Sequence, residues 1–326
     1  MKRFTQILCL AIALMQVGCS GSNSSSKSDG GLRIAVIPKG TSHEFWKSVH
    51  AGAKKAAEEL GDVEIIWKGP ETENDTQGQI AVVQNFITSR VDGICLAPNH
   101  SKALVDAVAE ANAEEIPVVV FDSGLADGAE IVSYVATDNY KGGVLAGERM
   151  IAALGGEGNV ILLRYKEGSE STEQREKGFL AAMEKAEGIT VLSSDQYAGT
   201  STQDAMAMAT QLLNKYRDEV NGIFAVCEPN CNGTLEALEQ TGLAGKVQFV
   251  AFDPSDRLIN GMEAGTVAGI MLQDPFEMGR QSVIAAVSKI RGESVEPVIS
   301  TGEYVATKEN QGTAPFPRLL NPETVD

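Results

Sequence analysis

Residues 34–52 read IAVIPKGTSHEFWKSVHAG. Ile34 to Ile37 is an unbroken apolar run of the length of a buried strand, and from Glu44 onward the apolar residues recur at helical spacing. Trp46, Val49, Ala53, Ala57 and Leu60 fall at i, i+3, i+7, i+11 and i+14, the stripe that a helix over 44–60 buries. Phe45 lies about 100° away round that helix, off the stripe. A helix start carries unpaired backbone donors and is an exposed place, so two large rings there need separate reasons. Trp46 is expected to form a wall and anchor the helix, whereas Phe45 is expected to present a face outward.

The same alternation continues along the chain. Strand-like runs fall at 32–38, 63–67, 93–98, 117–122 and 133–137, and a second series at 159–164, 189–194, 222–226, 247–253 and 267–273. Helix-like segments lie between them at 44–60, 76–89, 101–114, 139–153, 172–186, 202–215, 232–241, 255–264 and 275–290. Apolar strands alternating with amphipathic helices are the signature of βαβ units in parallel sheets. Two series predict an α/β protein of two doubly wound, Rossmann-like domains. The junction falls near Thr137 to Tyr140, with a return crossing in VAGIMLQDP.

Charge and the N-terminus bound the function class. A formal net charge of −17 would repel a polyanion over most of the surface, so a nucleic-acid partner is not expected. Lys2 and Arg3 precede an apolar stretch from Phe4 to Met15, too short for a permanent membrane span, and small residues follow it. That is a signal peptide over 1–18. A cysteine directly after the small residues resembles the lipobox of bacterial lipoproteins, with Gln16 where an aliphatic residue is usual; it implies lipidation at Cys19. Residues 19–31 then read as a flexible tether. Cys227 and Cys231 are close enough to bridge in an exported protein or to remain two unpaired thiols, and both readings stay open. With three histidines and no second cysteine pair, no metal site is expected.

Doubly wound sheets bind ligands outside the carboxyl ends of their strands. Those positions carry Lys39 and His43 to Trp46, Asn99 and His100, Asp122 and Ser123, Thr137 to Asn139, Tyr165 to Arg175, Cys227 and Glu228, Phe252 and Asp253, and Gln273 and Asp274. Carboxylates, a guanidinium and an amide can each bond adjacent hydroxyls, and aromatic faces cover the C–H patches of a sugar ring. No histidine stands beside a serine or cysteine nucleophile, so an enzyme is not expected. GGEGN at 155–159 ends a helix rather than opening one, and no GxxxxGK[ST] occurs.

In order along the chain, VIPKGTSHEFWKSVHAGAKKAAEELG, DGICLAPNHSKAL, IPVVVFDS, ATDNYKGGVLAGE, TEQREKGF, GIFAVCEPNCNGTLEAL, FVAFDPSD and GIMLQDPFEMG resemble the periplasmic sugar-binding proteins of ABC importers, the ribose-, galactose- and xylose-type group. The resemblance covers Leu32 to about Thr307. It implies the periplasmic binding protein fold, with a hinge that the chain crosses several times: one lobe from 32–137 plus 274–302, the other from 138–273 plus 303–313, and a tail over 314–326. Carried over residue by residue, the sugar ligands fall on His43, Phe45, Trp46, Asp122, Arg175, Phe252, Asp253 and Gln273, with Thr137 and Cys227 as further candidates. Ser123, Ala97 and Cys227 depart from the ribose-type pattern and leave the particular sugar open.

The resemblance therefore implies a periplasmic or envelope-bound monomer, tethered through Cys19, that binds a monosaccharide or small polyol without a cofactor and delivers it to an ABC permease. A sensor lipoprotein presenting a sugar or autoinducer-like signal to a receptor is the alternative. A transcription regulator of the lactose-repressor type shares the core but is disfavoured by the export signal and by the absence of a helix-turn-helix before residue 32.

Overall fold

The computed structural model describes residues 31–325; the expected leader, Cys19 and all but the last residue of the expected tether lie outside them. The opening stretch becomes β1 (Leu32–Ile37) and α1 (Glu44–Leu60). Successive β1 residues serve opposite faces of a sheet, Ile34 and Val36 in one core cluster and Ala35 and Ile37 in the other. Trp46, Val49 and Ala53 are buried on α1 as their spacing predicts, but Ala56 is buried where Ala57 was expected. A second neighbour explains the shift, because α1 packs on a late helix, Pro275–Ile290, as well as on the sheet.

The chain continues through β2 (Val63–Trp67), α2 (Thr76–Thr88), β3 (Gly93–Leu96), α3 (Val105–Ala113), β4 (Val118–Phe121) and β5 (Ser133–Ala136). It then forms α4 (Asn139–Leu154), β6 (Gly158–Leu163), α5 (Glu170–Met183), β7 (Ile189–Ser193), α6 (Thr202–Lys215), β8 (Gly222–Ala225), α7 (Glu228–Gln240), β9 (Gln248–Phe252), α8 (Asp256–Ala264) and β10 (Gly269–Leu272). The last elements are α9 (Pro275–Ile290), β11 (Val298–Ser300), β12 (Tyr304–Ala306) and α10 (Phe316–Leu320).

Two six-stranded sheets result, β2-β1-β3-β4-β5-β11 and β7-β6-β8-β9-β10-β12. The first is parallel throughout, and in the second only β12 runs antiparallel, against β10. Sequence reading gave five strands to each sheet and missed β11 and β12. Each has three residues, too few for a period to register, and Val298 in β11 is 64% exposed. Helix α7 starts at Glu228, earlier than expected, because Pro229 sits in its first turn, where a missing N–H costs nothing.

The chain passes between sheets after β5, after β10 and between β11 and β12, a hinge of several crossings. Helix caps stand at two of these crossings. Asp138 accepts from the Lys141 N–H to start α4, and Asp274 accepts from the Glu277 N–H to start α9. Each lobe keeps its own apolar core, so the boundary between the lobes is left to polar side chains.

Candidate functional site

A cavity of about 40 Å³ lies between the lobes, facing the carboxyl ends of both sets of strands. Eight of the ten sugar-ligand candidates line it: His43, Phe45, Trp46, Asp122, Arg175, Cys227, Asp253 and Gln273. Two do not. Thr137 is buried in the hinge, where its hydroxyl donates to the Gly302 carbonyl (3.0 Å), and the ring of Phe252 lies beneath the guanidinium of Arg175, 3.8 Å from it.

The two lobes place equivalent aspartates at strand ends, Asp122 after β4 and Asp253 after β9. Both have left-handed backbones, with φ of 59° and 68°, a conformation rare for residues other than glycine and concentrated at functional sites. Asp122 is met by Lys39, whose Nζ is 2.8 Å from Oδ2 and also donates to Ser171 Oγ in the other lobe (2.9 Å). Asp253 Oδ1 accepts from Gln273 Nε2 (2.7 Å), and its Oδ2 lies 3.7 Å from Arg175 Nη1. Burial pushes the Asp253 carboxyl up, although Arg175 and Gln273 oppose it.

Arg175 is fixed on every side. Its Nε donates to Asn139 Oδ1 (2.9 Å), its Nη1 to the Val226 carbonyl (2.9 Å), and its plane stacks on Phe252. Helix α5 carries it within reach because α4 and α5 touch through glycine: a Cβ on Gly178 would overlap the Tyr140 carbonyl oxygen, and one on Gly143 the Arg175 carbonyl oxygen. The α1–α9 contact is built in the same way, at Gly52 and Gly279.

The most heavily bonded acid in the cleft is one that sequence reading missed. In the run ETEND, Glu71 and Asp75 are exposed while Glu73 is 7% exposed. Its Oε1 accepts from Trp46 Nε1 (2.8 Å) and lies 3.0 Å from His43 Nδ1, and its Oε2 accepts from the hydroxyl of Tyr165 (2.9 Å). Burial alone would raise this carboxyl; the His43 bond and charge, with Lys39 and Trp46, outweigh it and hold Glu73 at about 2. Burial likewise works to lower His43, but Glu73 overcomes it and raises the imidazole, which donates through Nδ1–H to the carboxylate. No strand end, helix cap or period marks Glu73 in the sequence, because its partners, His43, Trp46 and Tyr165, are all distant from it along the chain.

Two acceptors are left over. Glu228 Oε2 and Gln273 Oε1 are buried without a hydrogen-bond partner, and burial lifts Glu228 to about 7. Such atoms are expensive to leave unmet, so they read as places for donors on a ligand. Cys227 and Cys231 are unpaired, as is Cys95, and burial keeps the Cys227 proton on. The cavity shares Phe45, Glu228, Asp253 and Gln273 with a larger one of about 550 Å³, which is bounded on its far side by residues 319–322 and 324. Among the described residues no set of His, Cys, Asp and Glu is placed to hold a metal ion, and no helix is long and apolar enough to cross a membrane.

The periplasmic binding protein domain model matches residues 34–294. The ribose import binding protein RbsB of Haemophilus influenzae is 29% identical over 299 residues, 92% of this chain and 97% of that protein. Its counterpart in Salmonella typhimurium is 30% identical over 264 residues, 81% of this chain and 86% of that protein. Among solved structures, a carbohydrate transporter solute-binding protein of Agrobacterium radiobacter in complex with D-arabinose superposes with a TM-score of 0.85 at 32% identity, covering 90% of this chain and all of that one. A solute-binding protein of Agrobacterium vitis with bound D-fucose gives 0.85 at 32% identity, covering 88% and 99%. The chain belongs to the periplasmic binding protein domain family, among the sugar-binding proteins of ABC importers.

Proposed function

We propose that this protein is the extracytoplasmic substrate-binding component of an ABC importer and that it captures a monosaccharide or comparable polyol between its lobes. The observation that carries this is the convergence of Asp122 from one lobe with Asp253 and Arg175 from the other on one cavity, beside the rings of Phe45 and Trp46. Each polar group can take hydroxyls, and each ring can cover C–H surface. A sugar bonded to both lobes favours their closed arrangement, and a permease that recognises only that arrangement reads occupancy. Lipidation at Cys19, a tether over 19–31 and a monomeric state complete the proposal. The sensor alternative is disfavoured, since the relatives are named as import proteins.

A thermal-shift screen against pentoses, hexoses, 6-deoxyhexoses and inositols tests this reading. Ligand at about 100 times Kd stabilises the folded state by about 2.7 kcal/mol, so a cognate sugar raises Tm by several degrees. A flat response across the panel contradicts a sugar ligand.

A further inference from the structure

We infer that Glu73 is a positioning residue that couples the ring-bearing wall of the first lobe to closure of the second, with the Tyr165 hydroxyl as its cross-cleft partner. The inference rests on the proposed sugar-binding reading and goes beyond it: Glu73 and Tyr165 line the cavity themselves, but the role assigned to them is to hold the rings and join the lobes.

Glu73 sits in the segment between β2 and α2, and both groups on its Oε1, Trp46 Nε1 and His43 Nδ1, belong to the start of α1 in the same lobe. Those two bonds set the orientation of two rings that line the cavity. The donor on Oε2 comes from the residues after β6, in the other lobe. Separating the lobes removes that donor and leaves Glu73 with its own lobe's donors only. Closing restores it, to a carboxylate that is already charged, and a charge-assisted bond in a buried site is stronger than a neutral one.

The neighbouring residues reinforce the same seam. Lys166 Nζ donates to the main-chain carbonyl of Glu73 and to that of Asn99, both at 2.9 Å. The Ser101 N–H donates to the Gly168 carbonyl (2.9 Å), the Gly124 N–H to Glu170 Oε2 (2.9 Å) and the Ser171 N–H to Ser123 Oγ (3.1 Å). Residues 165–171 thus clasp the first lobe along one edge of the cavity. Within this clasp only the Tyr165–Glu73 bond ends on a side chain that also holds cavity-lining rings. Burial keeps the Tyr165 phenol protonated, so it remains a donor.

The test compares wild type, Tyr165→Phe, Glu73→Gln and the double variant, using the sugar that gives the largest thermal shift on wild type. Stopped-flow tryptophan fluorescence gives association and dissociation rates, and the Tm without sugar checks folding. Loss of one hydrogen bond to a charged acceptor predicts dissociation about tenfold faster in Tyr165→Phe, with association changed less than about threefold. If the two side chains act as one unit, the double variant dissociates no faster than the worse single variant. Multiplicative rates, or wild-type dissociation in Tyr165→Phe, overturn the coupling while leaving the sugar-binding reading intact. Absence of binding by wild type to every sugar tried overturns both.

Discussion

Glu228 Oε2 faces the cleft with no partner, and burial lifts this acid from 4.5 to about 7. Between those two pH values the folded protein holds a proton there that the unfolded chain has released. Its contribution to stability is therefore full below about 4.5 and is lost as pH rises through about 7. Glu228→Gln removes that titration, so the difference in ligand-free Tm between wild type and variant should shift against wild type from pH 5 to pH 8; a pH-independent difference would show that Glu228 is not buried as described. The two rings at the start of α1 make a second residue-scale test. Trp46 is 3% exposed, bonded to Glu73 and packed edge-on to Phe121, so Trp46→Ala should cost about 3–5 kcal/mol of stability and weaken binding. Phe45 is only partly buried, and Phe45→Ala should weaken binding at a stability cost below about 2 kcal/mol. Denaturant unfolding with parallel titrations separates the two, and the reverse pattern would exchange the faces. That division was legible from 3.6-residue spacing, whereas Glu73 was not, because nothing local distinguishes it from Glu71 and Asp75.

At the scale of elements, the site is held by helix pairs that meet backbone to backbone. The α4–α5 contact at Gly143 and Gly178 sets the height at which Arg175 enters the cleft, and the α1–α9 contact does the same for His43, Phe45 and Trp46. Gly178→Ala would push α5 away from the Tyr140 carbonyl, costing about 1–3 kcal/mol, and would move Arg175 off Asn139 and Phe252. Reduced stability together with an affinity loss of at least tenfold is expected; reduced stability with unchanged affinity would uncouple the helix contact from the site. The strands were readable because buried parallel strands are continuous apolar runs, as Ile34–Ile37 and Val118–Phe121 are. What escaped were elements whose order comes from neighbours: β11 and β12, three residues each, and α10, which docks Leu319 and Leu320 on the second core while Arg318 pairs with the hinge aspartate Asp274.

For the whole molecule, the two sheets and their repeated crossings place Asp122 and Asp253 in opposite lobes, so that neither lobe alone presents the full set of hydroxyl partners. The strand-end rule brought Asp122, Asp253 and Gln273 into view from sequence, since it needs only the ends of the strands, and the resemblance of REKGF singled out Arg175, which lies within α5. It could not give their mutual distances, nor the clasp at residues 165–171, which depend on the angle between the lobes. Binding in the cleft is decided by calorimetric titration of wild type and Asp253→Ala with the best sugar from the thermal screen. Wild type should bind one sugar per chain, and Asp253→Ala, whose ligand-free Tm falls because Gln273 and Arg175 lose a buried partner but which stays folded at the titration temperature, should show no measurable heat of binding. Equal affinity in the two proteins would mean that the sugar does not bind at Asp253.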